Sequence, residues 1–386
     1  MTIAQTAITT GQRHVHDEGA WVARLCAIAR EALRDMYLPD QQRFVHCRRK
    51  VGGGTQLEGV SERYTAMALI GLNHEPADVV AEVLHGQDPQ DVCGRMIERT
   101  ASSRELGEVA MALWCARALN HADAPRALEH LRAMAPHKAS CPTVEVAWAL
   151  TGQVVPGSNV RDEQLTDAVA RRLMASYRSE TGLFPHWPVG AQPARLRAHV
   201  ACYADLVYPI QALSHYATLR GDSAALKTAR ACAERMCALQ GAAGQWWWHY
   251  DVRTGRVVEP YPVYSVHQDA MGPMALFAVR EACADETFAE EAVSRGLTWL
   301  RSAPELEGGS LVDEAARLIW RKVGRREPGR LIRSVQAGMS RLHPSLRVPQ
   351  ADRLFPPGRI DFESRPYHMG WILYAWRGQS ADARTD

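Results

Sequence analysis

An alternation between two kinds of helical segment, repeated six times, constrains this chain more than any other feature. Residues 21–36 place Val22, Leu25, Ile28, Ala29, Ala32, Leu33 and Met36 at helical spacing, with Arg24, Arg30, Glu31 and Arg34 on the opposite face. That pattern predicts an outer helix, half covered and half in water. Residues 60–72 read differently: after Glu62, Arg63 and Tyr64 the segment 65–72 is apolar on every side, as a fully enclosed inner helix would be. The alternation then continues as 91–99 with 105–119, 124–134 with 143–150, 162–177 with 199–218, 223–239 with 265–282, and 287–300 with 311–323. A helix that is apolar all round is stable in water only where neighbours cover it, so six outer–inner pairs predict stacked hairpins. Their connections vary in length and include the long stretch 179–197, which favours a closed ring over a regular solenoid. The expected fold is therefore all-α, an (α/α)6 toroid with short irregular loops at one mouth; a pair of helical bundles is the plainer alternative. The ring is read as one domain spanning 1–386, with a loose arm over 1–18, an irregular crossing segment over 324–360, a closing helix over 365–376 and a disordered tail over 378–386.

Charge narrows the partner. Lys+Arg 45 against Asp+Glu 43 leaves a net charge of +2, without the one-sided basic field that nucleic acid calls for. A small molecule or an oligosaccharide fits better. The apolar runs 66–72 and 110–115 fall far short of the roughly 20 residues that span a bilayer, so no transmembrane segment is expected. Residues 1–13 lack the charged start and apolar centre of a secretory signal, which predicts a cytoplasmic location. Nine cysteines, odd in number and scattered, argue against a disulfide framework. With no C-x-x-C or H-x-x-x-H pair, neither a metal nor another cofactor is expected. Oligomeric state is left open.

Some turns carry a glycine followed by an aromatic residue, as in Ser179-Glu-Thr-Gly-Leu-Phe184 and Gln240-Gly-Ala-Ala-Gly-Gln-Trp246. The second has the form Q-x-x-x-G-x-W and resembles the repeat of squalene–hopene cyclases and their prenyltransferase relatives, which are helical toroids. The D-x-D-D acid motif of those cyclases and the aspartate-rich diphosphate sites of terpene synthases are absent, so the resemblance supports the fold more than the chemistry. Tyr367-His368 faintly resembles the zinc histidine of protein prenyltransferase β-subunits, without the matching D-x-C. In hairpin number and single-domain size the chain also resembles the six-hairpin glycosidases, lyases and sugar epimerases, which implies a carbohydrate-active enzyme but transfers no catalytic position.

In such a ring the first turns of the inner helices and the loops feeding them line one mouth. The densest cluster there is Trp246-Trp-Trp-His-Tyr-Asp251 followed by Tyr261-Pro-Val-Tyr-Ser-Val-His-Gln-Asp269. Residues 251–255 read as a tight turn between two short extended arms. Trp246 is expected to plug a gap between hairpins, leaving Trp247 and Trp248 to stack on a sugar face beside His249 and Tyr261. Asp269 is the first acid/base candidate, with Tyr264, His267 and Gln268 beside it and His267 sharing the catalytic role; the alternative is that Asp269 only caps and bonds neighbouring hairpins. Asp205 is either a satisfied buried carboxylate or the second member of an acid/base pair, with His199 and Tyr203 on one face near it. Arg63 and Tyr64 are expected to orient substrate, and Glu314 is a further binding candidate. Glu58, Glu62, Arg104, Glu105 and Glu108 read as solvated or ion-paired helix ends, and Gly52-Gly-Gly54 as a flexible loop. Three functions follow: acid/base chemistry on a sugar, cyclisation or transfer of an isoprenoid, or a helical scaffold that binds without catalysis.

Overall fold

The computed structural model describes residues 3–192, 197–328 and 331–377, with side chains from Asp17 onward. The chain opens with α1 (Ile3–Met36), β1 (Tyr37–Leu38), β2 (Arg43–Val51), β3 (Gly54–Val60), α2 (Glu62–Leu72) and α3 (Ala77–Val83). It continues through α4 (Pro89–Thr100), α5 (Leu106–Ala118), α6 (Ala124–Ala133), α7 (Thr143–Val154), α8 (Glu163–Ser176), β4 (Val200–Cys202), α9 (Ala204–Arg220) and α10 (Ser223–Ala238). Then come β5 (His249–Asp251), β6 (Arg256–Glu259), β7 (Val263–Tyr264), a π-helical turn (His267–Met271), α11 (Gly272–Cys283) and α12 (Glu290–Ser302). The last part holds β8 (Val312–Asp313), β9 (Leu318–Ile319), β10 (Lys322–Arg325), α13 (Leu331–Leu342), α14 (Ala351–Leu354), β11 (Pro357–Asp361), β12 (Glu363–Ser364) and α15 (Pro366–Ala375).

The protein is mostly helical. Its apolar helices α2, α5, α7, α9, α11 and α15 pack each on the next, and α15 packs in turn on α2. The amphipathic helices α4, α6, α8 and α10 lie against this inner set, and α12 packs on the π-helical turn. Side-chain caps start several helices where the sequence supplies an oxygen: Ser61 accepts from the Tyr64 amide, Asp88 from Gln90, Asp162 from Leu165, and Asp222 from Ala224 and Ala225.

Four readings are corrected. Residues 311–323 are not the sixth inner helix; they form the β8–β9 hairpin and the start of β10, with Arg317 at φ 53° in the turn. Leu318, Ile319 and Trp320 are β-prone residues in too short a run for a helix, and the inner position is taken by α15, which the sequence marked as a closing helix. Residues 199–203 are not helical, because β4 pairs with β5 (Cys202 opposite His249) and α9 starts only at Ala204. The segment 324–360 is not irregular throughout: β11 runs antiparallel to β10, which itself pairs with β7, and α13 packs on β6. The loose arm expected over 1–18 is instead helical from Ile3, the start of α1, which runs on unbroken to Met36. Residues 378–386 lie outside the described residues, as do the side chains of most of the expected N-terminal arm. No helix among the described residues is long and apolar enough to cross a membrane.

The Q-x-x-x-G-x-W stretch is a staple between hairpins. Gln240 Nε2 donates to the carbonyls of Gly244 (2.8 Å) and Ala292 (2.9 Å), and the Trp246 ring is wholly buried. A Cβ at Gly272 or Gly296 would come within 2.5 and 2.8 Å of that ring, so both glycines make room for it. A close backbone approach joins α2 to α15: a Cβ at Gly71 would sit 2.2 Å from the Gly370 carbonyl oxygen. Gly71→Ala in an isolated helix would gain about 0.5–1 kcal/mol. Here overpacking reverses the sign, and urea denaturation of the variant should show a loss of about 1–3 kcal/mol.

Candidate functional site

The first turns of the inner helices converge on one cavity of about 260 Å³. Arg63, Tyr64 and Met67 come from α2, Val144 and Trp148 from α7, Ala204 and Tyr208 from α9, and Tyr367 from α15. His267 and Met271 come from the π-helical turn, and Trp248, Tyr264 and Arg321 from the adjoining loops and strands. The space between the inner helices is filled by aromatics: Trp114 lies 5.1 Å from Trp371, and Trp371 Nε1 donates to Tyr208 Oη (2.9 Å). The cavity therefore opens at the amino ends of the helices, whose unpaired N–H groups and aligned dipoles make a positive field.

Cations strengthen that field. Arg321 and Lys322 lie over the Tyr264 ring, each 5.3 Å from its centre, and Arg333 lies 4.4 Å over Trp248. Beyond the β7–β10 pair is a larger cavity of about 580 Å³, whose wall includes Arg49, Lys50, Lys322, Arg325, Arg333 and Arg359 against the acids Glu327 and Asp361. The near-neutral total charge concealed this local excess. Glu363 ties the basic group to the inner helices. Arg49 (2.8 Å), Arg321 (3.1 Å) and Arg365 all donate to its carboxylate, and Arg365 also reaches Tyr64 Oη (2.7 Å).

Arg63, Tyr64, Trp248, Tyr264 and His267 thus share one cavity. Trp248 stacks on His249 at 4.1 Å, so His249 supports the stack while itself buried, and burial with the Arg197 charge holds its pKa far below the ordinary value. His267 is pushed down to about 3, chiefly by burial, and is neutral at physiological pH. It lies 4.2 Å from the Tyr203 ring and forms cavity floor rather than a proton donor.

Several other candidates stand elsewhere. Asp269 is fully buried beside the cavity and pairs with His368 Nε2 (2.8 and 3.0 Å), while its own carbonyl accepts from Trp376 Nε1 (2.6 Å). Burial raises its pKa against the opposing pull of His368. The pairing bonds the π-helical turn to α15. Gln268 clamps Trp246, accepting from its amide (3.1 Å) and donating to its carbonyl (3.2 Å). Tyr203 is enclosed in the core. Trp247 turns to Tyr261 (6.1 Å), and Tyr261 lines the larger cavity while donating to Glu305 (3.1 Å). His199 bonds Ser340 (2.9 Å) at a separate cavity against α13. Glu314 is exposed on the β8–β9 turn and pairs with Arg24.

Asp205 is fully buried at the start of α9, where it accepts from the Cys202 amide (2.8 Å) and meets His186 Nδ1 at 2.9 Å. His186 follows the fourth outer helix and was not singled out in the sequence. Neither was Glu145, in the first turn of α7. Its carboxyl pKa is raised, first by burial and further by Glu105, while Arg63, the Gly107 amide and His186 pull it down. A solitary glutamate after Thr-Val gives no motif. Only its position, at the start of an otherwise apolar helix, could have marked it.

No protein-family model matches the chain, and no curated protein matches it in sequence. Solved structures do resemble it. A double variant of unsaturated glucuronyl hydrolase from Streptococcus agalactiae superposes with a TM-score of 0.59 at 10% identity, over 95% of this chain and 92% of that one. The unsaturated glucuronyl hydrolase of Bacillus sp. GL1, responsible for the degradation of glycosaminoglycan, gives 0.58 at 12% identity, over 93% and 97%. A possible member of the GH105 family from Salmonella enterica gives 0.55 at 8%, over 94% of each chain. The resemblance to six-hairpin glycosidases is therefore one of fold, found across nearly the whole length.

Glu363 supplies a test of the basic cluster. Burial alone would raise its pKa, but Arg321, Arg365 and Arg49 together hold it below the ordinary value of 4.5. A depressed carboxyl stabilises the fold at pH values above its unfolded pKa, and that contribution is lost as pH falls through the folded one. Glu363→Gln should cost about 3 kcal/mol at pH 7 in urea melts, and the gap to the parent protein should narrow on acidification below 4.5.

Proposed function

We propose that this protein is a glycosidase-type enzyme acting on an anionic saccharide, with the α-helical hairpins closed into a six-hairpin toroid and the substrate seated in the mouth cavity. The observation that carries the reading is the meeting of aromatic faces and guanidinium groups at the helix amino ends. Trp248 and Tyr264 line the cavity with aromatic surface for sugar C–H groups, while Arg63 and Arg321 offer charge-assisted donors to a carboxylate or sulfate. The hydrolases of like fold act on unsaturated glucuronyl groups, and one was solved with an unsaturated glucuronyl disaccharide bearing sulfate. Uronate-ended oligosaccharides are therefore the first substrates to try.

Glu145 is the acid in this proposal. A carboxyl raised by burial keeps its proton to higher pH and can give it to a departing glycosidic oxygen. Arg63 lowers that pKa and so sets where the acid fails. Asp205 positions His186, and Asp269 with His368 holds the ring beneath the cavity.

Hydrolysis of unsaturated uronyl oligosaccharides, followed by loss of their ultraviolet absorbance, tests the reading. Glu145→Gln should lower kcat by about 100-fold or more, with substrate still shifting the melting temperature. Asp269→Asn should lower the melting temperature but leave kcat per folded molecule within about threefold of the parent, since its carboxylate is fully buried and held by His368. Activity should fall as pH rises through the raised Glu145 pKa, and Arg63→Met should move that limb to higher pH. An unchanged rate in Glu145→Gln would remove the assigned acid.

A second reading rests on the cavity lining. Tyr64, Trp148, Tyr208, Trp248, Tyr264 and Tyr367 with two methionines would also receive an isoprenoid, its diphosphate on the arginines. Thermal shifts by isoprenoid diphosphates, and none by acidic saccharides, would favour it.

A further inference from the structure

Beside the mouth, three potential ligand side chains of different chemistry converge. His186 sits on the loop after α8, Cys202 ends β4, and Asp205 lies in the first turn of α9. One imidazole nitrogen, the thiol sulfur and one carboxylate oxygen all lie within 4.8 Å of one another. A tetrahedral zinc ion, with bonds of about 2.0–2.3 Å, holds its ligand atoms roughly 3.3–3.7 Å apart. The closest pair here, His186 Nδ1 and Asp205 Oδ2, is at 2.9 Å, so a small spreading of the side chains makes the hole an ion needs.

We propose that His186, Cys202 and Asp205 form a three-ligand site for zinc or a similar divalent transition metal, with a fourth position left for water or a ligand oxygen. Nitrogen, sulfur and oxygen together suit such an ion, whereas magnesium and calcium favour oxygen alone. The frame is fixed. The Cys202 amide donates to Asp205 Oδ2 (2.8 Å), β4 is held in register with β5 at Cys202–His249, and the Thr143 amide holds the His186 carbonyl (2.8 Å). Asp205 is wholly buried whereas the His186 side chain remains 34% exposed, which leaves the cluster one open side. His186 is also within electrostatic reach of Glu145, so the charge of an ion here would act on the proposed acid. The site does not depend on the saccharide reading.

Cobalt(II) reports on it directly. The full-length protein, stripped with chelator and titrated with cobalt, should bind one equivalent and develop a near-ultraviolet thiolate-to-cobalt charge-transfer band together with tetrahedral visible bands. Zinc should displace the cobalt and raise the melting temperature. Cys202→Ser should abolish the charge-transfer band and weaken zinc binding by at least about tenfold, while Cys237→Ser, at a cysteine on the outer helix α10, should keep both. Absence of the band in the parent protein, or its survival in Cys202→Ser, would overturn the site. Since the readout is the metal's own spectrum, either result is separable from loss of hydrolysis in Glu145→Gln.

Discussion

The close packing of apolar helices on one another is what the rest of this molecule depends on. Helices such as α5 and α7 are covered on nearly every face, and no arrangement short of enclosure by like helices removes that surface from water. Enclosure succeeds only if the last inner helix reaches the first. Gly71 and Gly370 permit this by letting the α2 and α15 backbones touch, and the Trp114, Trp371 and Tyr208 cluster fills the centre they surround. The Trp246 staple fixes α12 and the π-helical turn in the same way, one ring filling space that two glycines vacate.

That packing also determines the chemistry available. Parallel inner helices bring their amino ends to one side, so the mouth gathers unpaired N–H groups and the positive ends of several dipoles. Acidic groups placed there are in demand as counter-charges. Glu363 is fully engaged by three arginines, and Asp205 is taken by His186 and the Cys202 amide. Glu145 is the exception, a half-buried carboxyl whose burial outweighs the cations around it.

The helical repeat was legible because burial on all sides leaves a plain mark: 65–72 and 143–150 contain almost nothing polar. The error at 311–323 has the same origin. Short strands buried beneath a loop layer are as apolar as an inner helix, and a run of six or seven residues does not reveal its period. At the mouth the sequence located the neighbourhood, since Arg63, Tyr64, Trp248, Tyr264 and His267 do share the cavity. It misjudged direction. Asp269 and Gln268 lie within two residues of His267 yet point into the packing, because the π-helical turn changes the phase at which each side chain leaves the backbone.

By itself the sequence determined a helical-hairpin architecture, the order of most of its helices and the region where polar and aromatic groups collect, because these follow from local periodicity and from the need to bury apolar surface. Tertiary structure alone decided that α15 completes the inner set. It alone gathered Arg49, Arg321 and Arg365 around Glu363, and set His186 against Cys202 and Asp205. Those groupings join residues up to several hundred positions apart in the chain. Charge, hydrogen bonding and metal-ligand geometry act over a few ångströms in space, and separation in the sequence carries no record of that distance.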